Sequence, residues 1–211
     1  MEIVWFGHAS VMLSSAGVAL VADPFPDSLG MSMAEKRAQI VTVSNSHPNH
    51  SSTDGFRDSP RIIDEPGEYE VGGYYVSGLA TAAENEGEAL VNTIFTIRAE
   101  GLIVCHLGDL NQILTPSQAQ RLNETDVLIV PAGGGCTLDP SRAAELVNLI
   151  SPRIVIPVHY RTEGVSSVDL EPIDSFLGHI GASEVAPQLR LNVTATNLPR
   201  ERRVVVLQRM V

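Results

Sequence analysis

Cysteine is scarce in this chain. Cys105 and Cys136 are the only two in 211 residues, and they form no metal-type pair. A reduced, cytoplasmic protein is the expectation. Long apolar runs are missing as well. None approaches the ~20 residues that a membrane helix needs, so no membrane partner is expected. The opening stretch, Met1-Glu2-Ile3-Val4-Trp5, has neither the basic region nor the long apolar segment of a signal peptide. Positive charge is also in short supply: 14 Lys+Arg stand against 25 Asp+Glu, a net charge of −11. Binding nucleic acid calls for a concentrated basic face, so no nucleic-acid partner is expected. One dense cluster, Arg200-Glu201-Arg202-Arg203, reads as a solvated turn before the last strand. No Gly-x-Ser-x-Gly elbow occurs, which leaves serine hydrolysis without support.

Hydrophobic residues at 44% and charged residues at 18% describe a globular chain rather than a disordered one. The length suits one sizeable core, and neither a repeat nor a linker interrupts it, so one domain is expected over residues 1–211. The sequence carries no signal for an oligomeric state. The first half is rich in strand signals: Ile3–Phe6, Ser10–Leu13, Val18–Ala22, Ile40–Ser44 and Arg61–Ile63. Tyr69–Val71 and Tyr74–Gly78 form a predicted hairpin through Gly72-Gly73. Residues 82–88 read as a polar, mobile connection. A second hairpin joins Asn92–Ile97 to Leu102–Cys105. The second half alternates. A short helix is expected over Gln118–Leu122, with Thr115 as N-cap. Val127–Val130 is a strand. A helix follows Asp139-Pro140, with Ala143, Leu146, Val147 and Ile150 at helical spacing. Ile154–Pro157 is a buried strand, Asp169–Ile180 a third helix and Arg203–Gln208 a closing strand. Hairpins followed by strand–helix alternation predict one layered α/β fold.

The chemistry concentrates where strands end. Val41-Thr42-Val43-Ser44 stops in Asn45-Ser46-His47-Pro48-Asn49-His50, a polar turn bearing two histidines. Imidazole is the commonest metal-binding side chain. Alone, such a pair reads more simply as a turn whose histidines cap carbonyls. But Asp109 follows the run 102–108, and His159 follows Ile154–Val158. Three strand ends each carrying a potential ligand predict a site on the rim of a sheet.

These residues resemble the metallo-β-lactamase-fold superfamily, and within it the small zinc-dependent hydrolases related to ascorbate-phosphate lactonases. The resemblance spans essentially the whole chain. It rests on Trp5-Phe6-Gly7-His8-Ala9-Ser10, Asp23-Pro24-Phe25, Cys105-His106-Leu107-Gly108-Asp109-Leu110 and Ile156-Pro157-Val158-His159-Tyr160. It implies a four-layer αββα sandwich with metals at one edge. The family's loop pattern is His-x-His-x-Asp-His. Here those positions are Asn45, His47, Asn49 and His50. The family's mid-chain histidine falls near Ala82 or Ala83, and no histidine occurs from Ser51 to Cys105.

The resemblance therefore implies an altered site. Of one metal's three histidines only His47 remains, which predicts that position empty. The other set reads Asn49, His50, Asp109, His159, and two histidines with one carboxylate are the minimum for a metal with open positions. The expected cofactor is zinc, one ion or none, with iron or manganese as alternatives. Metal ligands are expected at His50, Asp109 and His159, with His47 beside them. His47, Asn49 and His8 are the candidate catalytic residues. His8 either contacts substrate or is a hydrogen-bonded structural histidine. Asn49 cannot serve as a general base, since an amide accepts no proton as aspartate does. Asp23 is expected to orient neighbouring loops or a ligand histidine, His106 to pack beside the sheet, and His179 to lie at the surface. The loop from Pro131 to Thr137 holds three glycines; its amides could cradle an anionic substrate group, but it reads more simply as ordinary flexible chain. Cys136 within it has no sequence neighbour that would make it a nucleophile.

Two functions follow. One is a metal-dependent hydrolase with an at most mononuclear site, acting on a small ester- or lactone-type substrate. The alternative is a non-catalytic binding or regulatory module that keeps the fold without the dinuclear site.

Overall fold

The structure, a computed structural model, describes residues 1–33, 36–85, 88–163, 165 and 169–210, with the backbone alone over 83–85 and 88–90. Two sheets face each other. The first contains β1 (Glu2–Gly7), β2 (Ser10–Ser15), β3 (Val18–Ala22), β4 (Ile40–Thr42), β5 (Arg61–Ile63) and β12 (Leu191–Asn192), in the order β12-β1-β2-β3-β4-β5. The second contains β6 (Glu68–Val71), β7 (Tyr74–Asn85), β8 (Glu88–Ala99), β9 (Leu102–His106), β10 (Val127–Pro131), β11 (Ile154–Val158) and β13 (Arg203–Val204), in the order β13-β11-β10-β9-β8-β7-β6. The helices are α1 (Pro116–Gln120), α2 (Pro140–Ile150) and α3 (Ile173–Ile180).

Side-chain alternation explains the layers. Successive residues of a strand point to opposite faces. In β1, Ile3 and Trp5 enter the core between the sheets, while Val4 and Phe6 pack outward against Phe25, Leu29, Met31 and Met33. In β10, Val127 and Ile129 face the inter-sheet core, and Leu128 and Val130 face the helices. Strands covered on both faces read as unbroken apolar runs, which is why Val127–Val130 and Ile154–Val158 show no polar alternation. α2 begins at Asp139, whose Oδ1 accepts from Ser141 N at 2.8 Å, with Pro140 in the first turn. Its Ala143, Leu146, Val147 and Ile150 are all buried. The sandwich is the predicted one. Its outer layer over the first sheet is coil with one 3-10 turn, Asp27–Leu29, rather than an α-helix among the described residues.

Several boundaries differ from expectation. The 82–88 connection is strand at residues 82–85 and 88, because the β7–β8 ladder continues out to Asn85↔Glu88; residues 86 and 87 lie outside the described residues. Backbone pairing along the extended hairpin outweighs the weak strand preference of its polar residues. The first helix begins at Pro116 and stops at Gln120. The third begins at Ile173 rather than Asp169, since Pro172 disfavours helical backbone at Glu171. The closing strand pairs with β11 only through Arg203 and Val204; the chain then crosses to the first sheet, where Arg209 bridges Trp5.

β1, β3 and β4 run parallel to one another, as do β9, β10 and β11. The loops after these six strands carry His8, Asp23, residues 43–50, Asp109, residues 132–138 and His159. That shared rim is where the candidate site lies.

Candidate metal centre

Three of the rim residues are bent out of line with their strands. His8, Asp23 and His159 have φ of 50°, 46° and 52°. This left-handed backbone is uncommon for residues other than glycine and costs of order 1–3 kcal/mol each. The surrounding bonds hold it. His159 N donates to His8 O at 2.9 Å, which joins the two sheets, and Trp5 Nε1 donates to the same carbonyl at 2.9 Å. Three buried rings converge as a result. The His8 and His159 centroids lie 4.0 Å apart, His8 and His50 4.8 Å, His50 and His159 5.4 Å.

Asp109 faces two of these rings at once. Its Oδ2 lies 3.6 Å from His50 Nε2, and its Oδ1 lies 3.8 Å from His159 Nε2. Behind His50, Nδ1 meets Asp23 Oδ2 at 3.0 Å. Asp23 is fully buried and also accepts from Ser44 N at 2.8 Å and Ser44 Oγ at 2.6 Å. The expected orienting role therefore has a concrete form. A carboxylate acceptor at Nδ1 keeps the proton there and leaves the Nε2 lone pair directed at Asp109.

Asn92, which the sequence reading passed over, secures the other carboxylate. Its Oδ1 accepts from Asp109 N at 2.8 Å, and its Nδ2 donates to Leu107 O at 3.0 Å and to Thr81 Oγ1 at 3.1 Å. Nothing in the sequence of β8 sets Asn92 apart, since Thr93 and Thr96 break the same apolar run. Gly108 makes the turn possible. Its φ is +64°, and a Cβ there would lie 2.4 Å from Ser44 Cβ and 2.5 Å from Asn92 Oδ1.

The electrostatics suit a cation. Burial works to lower the pKa of His50, but the Asp109 and Asp23 carboxylates outweigh it and the net shift is upward. The same two carboxylates that favour charge on His50 would favour a cation bound beside it. Burial pushes His159 down to about 4, with Asp109 opposing, and burial holds His8 well below the ordinary imidazole value with the help of its neighbouring imidazoles. Burial alone would raise Asp23, yet the His50 hydrogen bond and nearby groups bring its pKa below the usual carboxylate value.

The donor set fits a divalent transition metal. His159 Nδ1 and Nε2, His8 Nδ1 and Asp109 Oδ1 are buried without a hydrogen-bond partner. An unsatisfied buried polar group costs ~1–3 kcal/mol, so several at one point signal a missing partner. Ligand bonds of about 2.0–2.2 Å in a tetrahedral array put neighbouring donors roughly 3.4 Å apart; Asp109 meets each histidine at near that spacing through a different oxygen, Oδ2 to His50 at 3.6 Å and Oδ1 to His159 at 3.8 Å. Two triads have donor atoms all within 4.8 Å of one another: His8, His50 and His159, and Asp109, Cys136 and His159.

The remaining candidates sort by contact. His47 stands at the rim, half-buried, its ring centroid 6.2 Å from that of His50. Asn49 N donates to His47 Nδ1 at 3.2 Å, and His47 N donates to Asn45 Oδ1 at 2.9 Å. Asn49 is half-buried beside it. His106 is fully engaged: Nε2 contacts Ala9 O at 2.9 Å, and Nδ1 accepts from Gly108 N at 3.2 Å. It is a structural tie between the sheets. His179 is exposed in the last turn of α3. The arginine cluster near residue 200 lines a cleft with Asn123, Glu124 and Asp126, away from this rim. No helix among the described residues is long and apolar enough to cross a membrane.

Two facing mixed sheets with a histidine–carboxylate cluster at one rim define a class of protein, and sequence comparison agrees. The chain belongs to the metallo-β-lactamase superfamily: residues 2–159 match the Beta-lactamase superfamily domain. Among its relatives, a UPF0173 protein of Pyrococcus abyssi is 30% identical over 194 residues, covering 80% of this chain and 88% of the relative. A UPF0173 metal-dependent hydrolase of Methanosarcina mazei is 29% identical over 204 residues, covering 81% and 88%. A crystal structure from Thermotoga maritima, provisionally assigned as a Zn-dependent hydrolase of this superfamily, superposes with a TM-score of 0.79 at 37% identity, covering 98% of this chain and 97% of that one. A metallo hydrolase from Ignicoccus hospitalis shares the fold at a TM-score of 0.64 and 18% identity, covering 86% and 91%.

Proposed function

We propose that this protein is a metal-dependent hydrolase with a single metal position, acting on a small ester- or lactone-type substrate. His50, Asp109 and His159 would hold the ion, zinc in the first instance, with iron and manganese as alternatives. The observation that carries the reading is the Asp109 carboxylate spanning His50 Nε2 and His159 Nε2, beside buried donor atoms that have no other partner. The family's metal-dependent hydrolases support it. A bound cation would supply Lewis acidity and an activated water.

The chain's own residues have separate tasks. Asp23 keeps the His50 proton on Nδ1. Asn92 fixes Asp109 through its backbone amide. His47 Nδ1 accepts from Asn49 N, which leaves Nε2 as the ring's donor. That N–H stands at the open rim and can donate a hydrogen bond to the carbonyl or leaving oxygen of a substrate. Asn49 holds the ring in place and offers its amide to substrate. His8 closes the pocket floor against water.

A second reading also has an observation behind it. Asn45 Oδ1 accepts from His47 N and His47 Nδ1 accepts from Asn49 N, so two side-chain acceptors of this loop are engaged within the loop itself. A sandwich so altered suits a non-catalytic binding or regulatory module. Metal content and activity decide between the readings. Protein purified after zinc-supplemented expression should hold about one equivalent of metal, lost in His159→Ala, and should hydrolyse members of an ester and lactone panel. Metal-free protein refutes the metal reading. Metal-loaded protein inert across the panel favours the binding module.

A further inference from the structure

The triad Asp109, Cys136, His159 contains a donor that the resemblance to zinc hydrolases did not place at the site. Cys136 lies on the loop after β10, far in sequence from the other two. Its Sγ falls within 4.8 Å of a carboxylate oxygen of Asp109 and a ring nitrogen of His159. Loop geometry brings it there. Gly134 and Gly135 have φ of +64° and +63°, and a Cβ on Gly135 would lie 2.2 Å from Asp169 O. Thr137 N and Oγ1 both donate to Gly134 O at 3.0 Å, and Leu138 N donates to Leu110 O at 3.0 Å. The last bond ties the cysteine loop to the turn that carries Asp109. The stretch read from sequence as ordinary flexible chain is thus closely packed.

A cysteine near a histidine is not in itself a site. The independent observation is on the other two members. Asp109 Oδ1 and His159 Nε2 are buried, 3.8 Å apart, and neither has a hydrogen-bond partner. With these two directed at one point and a sulfur completing the triangle, we propose that Cys136 binds the metal as a thiolate alongside Asp109 and His159. The inference rests on the mononuclear metal reading and adds a ligand to it.

The chemistry has consequences. Without metal, burial and the Asp109 carboxylate push the Cys136 thiol up to about 12, so the resting group is S–H. Metal binding breaks the S–H bond, forms a metal–sulfur bond and releases one proton to solvent. The thiolate and Asp109 together neutralise a divalent charge. A soft sulfur ligand selects zinc or cobalt over manganese or magnesium.

Cobalt(II) reports sulfur ligation directly. The metal-free full-length protein would be loaded with cobalt, its stoichiometry measured, and its near-ultraviolet spectrum recorded. The expected result is about one equivalent of cobalt with a sulfur-to-cobalt charge-transfer band. The band should vanish in Cys136→Ser and persist in Cys105→Ser, whose thiol lies in the helix-side core. One equivalent of cobalt with no band in the unaltered protein overturns the thiolate and leaves the metal reading standing; no bound cobalt overturns both. Should Cys136→Ser fail to fold, zinc-edge absorption fine structure on the unaltered protein decides: a zinc–sulfur shell at about 2.3 Å supports the ligand, and a shell of nitrogen and oxygen alone overturns it.

Discussion

Asp23→Asn tests the logic of the site at a residue that the metal reading places outside the ligand set. The side chain keeps its shape and loses its charge. In the structure the carboxylate accepts from Ser44 N at 2.8 Å, Ser44 Oγ at 2.6 Å and His50 Nδ1 at 3.0 Å, fully buried. An asparagine oxygen can still take the Ser44 amide. Its NH2 then faces the serine hydroxyl, which can rotate to accept, and His50 Nδ1–H, which cannot. Each hydrogen bond to a charged group is worth ~1.5–3 kcal/mol, and one is lost outright. Relief of the buried charge returns part of that, so a net loss of about 2 kcal/mol in the metal-free protein at pH 7 is expected. Losing the tautomer lock should also weaken metal binding roughly 10–100-fold. Urea unfolding measures the first effect, and competition against a chelating indicator the second. If Asp23→Asn matched the unaltered protein in both assays, the argument that Asp23 aims His50 would be wrong. A double-mutant cycle with His50→Gln sharpens the test, since residues coupled through one contact should depart from additivity by more than ~0.5 kcal/mol.

Gly108→Ala should cost about 3 kcal/mol, combining left-handed backbone strain with displacement of the Asn92 bond to Asp109, and should lose metal as well; an unchanged urea midpoint would refute the packing argument. The histidines predict a pH signature in metal-free protein. His8 and His159 are lowered, so below their unfolded value near 6.5 the unfolded chain binds protons that the native one does not, and stability falls as pH falls. His50 is raised, so its contribution is complete below 6.5 and is lost as pH rises through its native pKa. Stability curves should therefore show the deficit of His8→Gln shrinking below pH 6.5, by up to ~1.4 kcal/mol per pH unit; a deficit constant with pH contradicts this. His47→Gln should retain the metal equivalent and lower kcat on whichever ester or lactone is turned over, while metal lost in this variant would make His47 a ligand instead.

Much of the fold was legible along the chain. The apolar runs of β10 and β11 and the capped α2 were found because each is a local pattern: a burial period, a proline, a capping aspartate. The boundaries of the β7–β8 hairpin, α3 and the final strand were less legible, because cross-strand pairing and the path of neighbouring segments set them. At the site, His50, Asp109 and His159 were recognisable from motifs at strand ends. Asn92 and Cys136 were not. A buried amide looks in sequence like any strand residue, and a single cysteine after three glycines carries no spacing signal.

The residues themselves are plain in the chain: Asn45 and Asn49 in the loop, and no histidine from Ser51 to Cys105. Set against the superfamily's loop pattern, they predict that one metal position has lost its histidines. The same pattern singles out the three side chains proposed to hold an ion, His50, Asp109 and His159. Which further groups stand within reach of that ion is a matter of distance between loops that follow six different strands. Such distances arise when two sheets pack and set His8 against His159 and the cysteine loop against the Asp109 turn. No local pattern encodes them, because burial of the shared core, and not any neighbouring residue, brings those loops together.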